Sequence, residues 1–249
     1  MDGVDRATTS RIAHAHHPVA APVSHASVAR LLERLDPPQG SRVLDLGCGS
    51  GAWLVELLAR RRDLSAVGVD THLHPDRLAR ANARGVADRL TWHEGDAAEW
   101  WDGGHGAVLC VGASHAFGGP AAMLDAVATH VAPGGRALVG DGFWEGRPSA
   151  AAQAALGAGP DDFPTLTALL ELAAGRGWAV TYAHVSSAAE WDDYEWSWTG
   201  SLTEWALRPD TDPGDRVHAL EAAEQHRRAW LEGYRGELGF ATLVLARPG

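Results

Sequence analysis

The chain is predicted to fold as an α/β protein built on a parallel sheet covered by helices on both faces. Three observations carry this expectation. Short apolar strands alternate with helical segments between residues 42 and 139. The first strand, Arg42-Val43-Leu44-Asp45-Leu46, runs directly into the glycine-rich turn Gly47-Cys48-Gly49-Ser50-Gly51. The second strand ends on an acid, Asp70.

Residues 1–26 read as a polar, irregular leader broken by Pro18 and Pro22. A helix is predicted from Ser27 to Leu35, with Val28, Leu31, Leu32 and Leu35 on one face and Pro37-Pro38 stopping it. Helix 52–61 follows the glycine turn, then strand 65–69, helix 75–84, a short strand 90–93 and strand 107–111. Helix 120–131 comes next, and Pro133-Gly134-Gly135 turns into a fifth strand, 136–139. Right-handed crossovers make ligands collect at the carboxyl ends of such strands.

After residue 145 the texture changes. Residues 150–158 are Ala- and Gly-rich, 165–174 read as a helix and 178–185 as a strand. Residues 189–236 are rich in Trp, acids and Arg, and include a long amphipathic helix near 215–234. Its expected apolar face is Val217, Leu220, Trp230, Leu231 and Tyr234. A last strand is read at 239–246. The predicted organisation is one domain: leader 1–26, a possible lid; cofactor-binding core 27–145; helix and strand 146–188 completing the sheet; a helical, aromatic insert 189–236 as a substrate cap; last strand 237–249.

Composition removes several classes. The chain has no lysine, which rules out Schiff-base chemistry and a Walker-type phosphate loop. Its net charge of −11 argues against a nucleic-acid partner, which calls for a basic face. The two cysteines build neither a disulfide scaffold nor a four-thiolate zinc site. No apolar run reaches the ~18 residues of a membrane span, and the leader lacks a secretory pattern; a cytoplasmic location is expected. His14, His16 and His17 look like a metal cluster, but an irregular leader does not supply ligand geometry.

The glycine turn alone is ambiguous, because Gly47-x-Gly49-x-x-Ala52 also fits a dinucleotide site. Three acids tilt the choice. Asp45, two residues before the first glycine, can receive an ammonium group. Asp70 can accept from ribose hydroxyls. Asp96, in Glu94-Gly95-Asp96-Ala97, can accept from an adenine amino group.

Residues 43–51 resemble motif I of the class I methyltransferases that use S-adenosylmethionine (SAM). Gly68-Val69-Asp70 resembles their ribose-binding strand end, Gly95-Asp96-Ala97 their adenine contact, and Val131-Ala132-Pro133-Gly134-Gly135-Arg136 the turn before their fifth strand. The whole chain is similar to bacterial small-molecule methyltransferases of the ubiquinone/menaquinone-methylase-like group. The resemblance implies a Rossmann-like, doubly wound, seven-stranded sheet with an antiparallel last strand. It implies SAM as cofactor, held by Asp45, Gly47, Cys48, Gly49, Gly51, Asp70, Thr71, Asp96, Ala97 and Cys110.

Departures from subfamilies narrow the acceptor. Residues 110–119 lack the diproline motif of many base-modifying enzymes, and no acid ends the fourth strand as in metal-dependent catechol-type enzymes; no metal is expected. Methyl transfer from a sulfonium needs orientation above all, and a base only when the nucleophile carries a proton. His115, just past the fourth strand, is the candidate base or substrate contact, with Ser114 beside it. Trp144 and Glu145 are candidate pocket walls or packing residues. Trp191 and Tyr194 are candidate stacking groups or anchors of the insert, with Trp196 and Trp198 read as anchors. His16 and His17 face the site if the leader folds over it. The expected partner is a small-molecule acceptor. A tRNA or protein acceptor, a non-catalytic SAM-binding module and a SAM enzyme transferring another group are the alternatives.

Overall fold

The computed structural model describes residues 6–247. Within it the chain divides into two compact units.

The first unit, residues 24–143, 165–185 and 240–247, holds the sheet. In chain order it contains α2 (His25–Leu35), β1 (Arg42–Leu46), α3 (Ala52–Arg60), β2 (Ser65–Asp70), α4 (Arg77–Ala83), β3 (Leu90–Glu94), β4 (His105–Val111), α5 (Pro120–His130) and β5 (Val131–Trp144). α7 (Leu166–Gly175), β6 (Ala179–Val185) and β7 (Leu238–Ala246) complete it. The seven strands lie in the order β3-β2-β1-β4-β5-β7-β6, with β7 antiparallel to β6. This is the doubly wound sheet expected from the sequence. The order reverses between β1 and β4, and both neighbours of β1 are parallel to it.

One sheet face buries Leu44, Leu46, Val67, Val69, Val108, Cys110, Ala137 and Val139 against Met123, Leu124 and Val127 of α5 and Leu169 and Ala173 of α7. Every second residue of each strand points to this layer, which locks the register. β5 is longer than the predicted 136–139. His105 already pairs with Val131, and a register shift between His105 and Ala107 absorbs Pro133-Gly134-Gly135 as an irregularity inside the strand.

The second unit, residues 6–23, 144–164 and 186–239, is helical. It contains α1 (Arg6–Ala13), α6 (Ala150–Leu156), α8 (Ala188–Ala206), α9 (Pro213–Ala229) and a wider final turn over Trp230–Tyr234. In that turn the Arg235 amide donates to Trp230 O, five residues back, at 3.0 Å. α8 starts at a capping box: the Glu190 amide donates to Ser187 Oγ at 3.2 Å, and the Ser187 amide donates to Glu190 Oε2 at 2.9 Å.

Two expectations are corrected here. The leader is not irregular throughout: residues 6–13 contain neither Gly nor Pro, and α1 buries Ile12 and Ala13 against Leu202 and Ala206 of α8 and Ala219 and Ala223 of α9. The apolar face predicted for the last long helix holds at Trp230 and Tyr234 and fails at its other three positions. Val217, Leu220 and Leu231 are exposed. The buried stripe is Ala219, Ala223, Trp230 and Tyr234, because small alanines let α8 approach closely and hydrophobicity alone does not place a residue inside. No helix among the described residues is long and apolar enough to cross a membrane.

Candidate functional site

The site grows from the exit of β1. Gly47 and Cys48 amides both donate to Val69 O, at 2.9 and 3.0 Å, which folds the turn over the end of β2. The Gly51 amide donates to Cys48 O at 2.7 Å and opens α3. Gly47 and Gly51 both have positive φ, 78° and 70°. A Cβ at Gly47 would collide with Ala113, and one at Gly51 with the Trp92 ring. These two glycines are therefore required by packing within the protein. Gly49 differs: open space surrounds the place a Cβ would take, so a ligand can come close to its backbone, whose amide is engaged by Asp70.

Asp45 is buried, and its Oδ2 has no hydrogen-bond partner. Burial, reinforced by the charge of Asp70, pushes its carboxyl up to about 8. An orphaned buried carboxylate beside an open glycine backbone fits an incoming ammonium, which would satisfy both the missing hydrogen bond and the charge. Asp70 is held at both oxygens, Oδ2 accepting from the Gly49 amide at 2.8 Å and Oδ1 from the His72 amide at 2.9 Å. Thr71 next to it is exposed. Asp96 is exposed and accepts from the Ala98 amide at 2.8 Å, while Ala97 is buried.

Cys48 and Cys110 are free and buried. Burial and the nearby charges of Asp45 with Asp70, or Asp45 with Asp141, push both thiols up, so neither supplies a thiolate nucleophile. Past β4, Ser114–Phe117 form a single tight turn in which Ser114 is buried and His115 exposed.

The remaining candidates lie in the helical unit. Trp144 is only 2% exposed; it donates through Nε1 to Gly159 O at 3.3 Å, meets Phe163 edge-on, and packs with Ala152, Trp230 and Tyr234. Of its two sequence readings, the packing one describes these contacts. Glu145 is exposed. Trp191 and Tyr194 come together with their ring centroids 6.4 Å apart, and His14 and His17 lie against Tyr194 at 5.8 and 5.2 Å. His17 is bonded to Val19 O at 2.7 Å, and exposed His16 to Glu204 at 2.8 Å. The leader histidines therefore sit on the insert. Trp198 stacks on His226 at 3.8 Å, as an anchor should, whereas Trp196 is half exposed with its edge against Trp230. Among the described residues no group of three His, Cys, Asp or Glu side chains is placed to hold a metal ion.

Sequence reasoning missed three residues. Trp92, read only as strand, closes the glycine loop from below. Glu195, inside the aromatic run, is buried, and accepts from Tyr234 Oη at 2.7 Å and pairs with His226 at 2.7 Å. Asp141 lies inside β5 just beyond the apolar run Ala137-Leu138-Val139, as Asp45 and Asp70 follow apolar residues of β1 and β2, and that repeated position was the available signal.

A reversing parallel sheet with an acid, a glycine turn and a second acid at its carboxyl edge defines the class I methyltransferase fold. The chain belongs to the methyltransferase domain family, whose model matches residues 19–183, and is a SAM-dependent methyltransferase. Escherichia coli YjhP, an uncharacterized protein, is 31% identical over 218 residues, 85% of this chain and 86% of YjhP. Its X-ray structure superposes with a TM-score of 0.85 over 96% of this chain and 99% of that one. SAM-dependent methyltransferases from Geobacter sulfurreducens and Thiobacillus denitrificans, both solved with S-adenosyl-L-homocysteine, are each 29% identical, with TM-scores of 0.85 and 0.83. They cover 100% and 99% of this chain, and all of their own.

Proposed function

We propose that this enzyme methylates a small-molecule acceptor without a metal ion. The observation that carries the reading is charge. The net charge is −11, and arginines that could grip a phosphate backbone are engaged inside the chain. Arg60 and Arg84 pair with Glu56, Arg61 with Asp36 and Asp63, Arg176 with Asp125 and Arg235 with Asp192. Arg89, Arg136 and Arg216 bind backbone carbonyls. A nucleic-acid substrate would need such cations free.

In this reading Asp45 receives the ammonium of the donor's amino-acid end, and the Gly47–Gly51 backbone, with Cys48 and Cys110, lies along it. Asp70 and Thr71 face the ribose, and Asp96 and Ala97 the adenine. The donor, when bound, supplies an already activated methyl group. The protein's part is to orient and desolvate the reacting groups, with His115 able to take a proton from an acceptor that carries one. In the insert, Asp192 is paired with Arg235, which holds its carboxyl below the usual range.

The test is incubation with methyl-tritiated SAM and a cell extract, with and without EDTA. Label is expected in the low-molecular-weight fraction, unchanged by EDTA. Label in RNA or protein would reverse the acceptor class, and loss with EDTA would overturn metal independence.

A further inference from the structure

We propose that Asp141 is the acceptor-side carboxylate of this enzyme: it faces the methyl-transfer position and recognises an acceptor through a protonated or N–H-bearing nitrogen. The inference rests on the SAM-dependent transfer reading and names a residue which that reading leaves unused. Asp141 lies one residue beyond Gly140, which pairs with Val111 at the carboxyl end of β4. Its carboxylate is oriented from two sides. Oδ1 accepts from the Gly142 amide at 2.8 Å, and the Ser114 hydroxyl hydrogen-bonds the same carboxylate. His115 lies on the same turn as Ser114.

Two contacts bring this group beside the donor site. Ala113, directly before Ser114, abuts Gly47 of the glycine loop so closely that a Cβ there would collide with it. Cys110, near the end of β4, lies on the strand between β1, which carries Asp45, and β5, which carries Asp141. The two acids thus flank one strand end, at the place where the sheet order reverses and ligands collect. Asp45 fits the ammonium of the donor. Asp141 is the second acid on that edge, and its acceptor-only oxygens call for a cation or a donor from the ligand. Burial raises its carboxyl, against the lowering by Ser114, Gly142 and His115. A cationic partner would offset that cost of burial and favour the ionised form.

The test needs no known acceptor. Sinefungin carries an ammonium where the donor carries its transferable methyl; S-adenosylhomocysteine carries nothing there. Calorimetric titration of both ligands gives the ratio of their dissociation constants. In Asp141→Asn the preference for sinefungin is expected to fall about tenfold, while S-adenosylhomocysteine binds within about threefold of wild type. Ser114→Ala keeps the charge and frees the carboxylate, and is expected to lower the preference about threefold. An unchanged ratio in both variants, or equal weakening of both ligands, overturns the assignment of Asp141 alone. Failure of the wild-type enzyme to bind S-adenosylhomocysteine overturns the cofactor reading beneath it.

Discussion

The Gly49 amide donates to Asp70 Oδ2 at 2.8 Å, so the acid that ends β2 holds the turn that follows β1. Asp70 therefore has two tasks: it shapes the loop, and it keeps lone pairs free for ligand hydroxyls. Asp70→Asn is expected to weaken S-adenosylhomocysteine binding by about 10- to 100-fold, because a charge-assisted bond and the loop geometry are lost together. Calorimetry checks it. A variant that binds as tightly as wild type would show that Asp70 is only a brace.

The three glycines of the loop should separate into two behaviours. Gly47→Ala forces a methyl into Ala113 and adds the strain of a positive φ. It is expected to cost about 2–4 kcal/mol of stability in denaturant unfolding. Gly49→Ala meets open space, so only the backbone strain remains, about 1 kcal/mol. Its main effect should be weaker ligand binding.

Asp45 should make both stability and binding depend on pH. Its carboxyl is raised in the folded state from 3.8 to about 8. The folded protein therefore holds a proton that the unfolded chain releases, and stability falls as pH rises between these values, by up to about 1.4 kcal/mol per unit. Asp45→Asn should flatten that slope in the ligand-free protein between pH 5 and 8. Wild-type affinity for S-adenosylhomocysteine should rise over the same interval, because the ionised carboxylate is the form that receives an ammonium. A slope identical in the variant would remove Asp45 as its source.

In the helical unit Glu195 joins three elements, since it sits in α8 and bonds His226 of α9 and Tyr234 of the wide turn. Glu195→Ala leaves the buried hydroxyl of Tyr234 without its acceptor and is expected to cost about 3 kcal/mol, read from urea unfolding. Glu195→Gln keeps an acceptor oxygen and should cost less.

The sheet was legible because its strands are apolar runs punctuated by glycine and proline, and because the acids Asp45 and Asp70 recur with the first two strands and Asp96 follows the third. Local pattern reached as far as Asp45, Asp70 and the glycine turn. It did not reach what depends on contacts distant in sequence. Ala113 against Gly47 and Trp92 beneath Gly51 assign two glycines to packing, and a single turn read alone assigns all of them to the ligand. The same limit explains α9, where alanines bury and Val217 and Leu220 do not. It explains Trp144 as well, whose neighbours Phe163 and Trp230 come from 19 and 86 residues further along. The leader helix was hidden because its polar residues mask Ile12 and Ala13, the two that dock.

The most direct test of the central claim, that the loop after β1 holds SAM through Asp45 and the Gly49 backbone, is calorimetric titration of wild type and Asp45→Asn with S-adenosylhomocysteine and with NAD. The account predicts micromolar or tighter binding of S-adenosylhomocysteine to wild type, a loss of about tenfold or more in the variant, and no binding of NAD. Tight NAD binding without S-adenosylhomocysteine binding, or equal affinity in the two proteins, would contradict it.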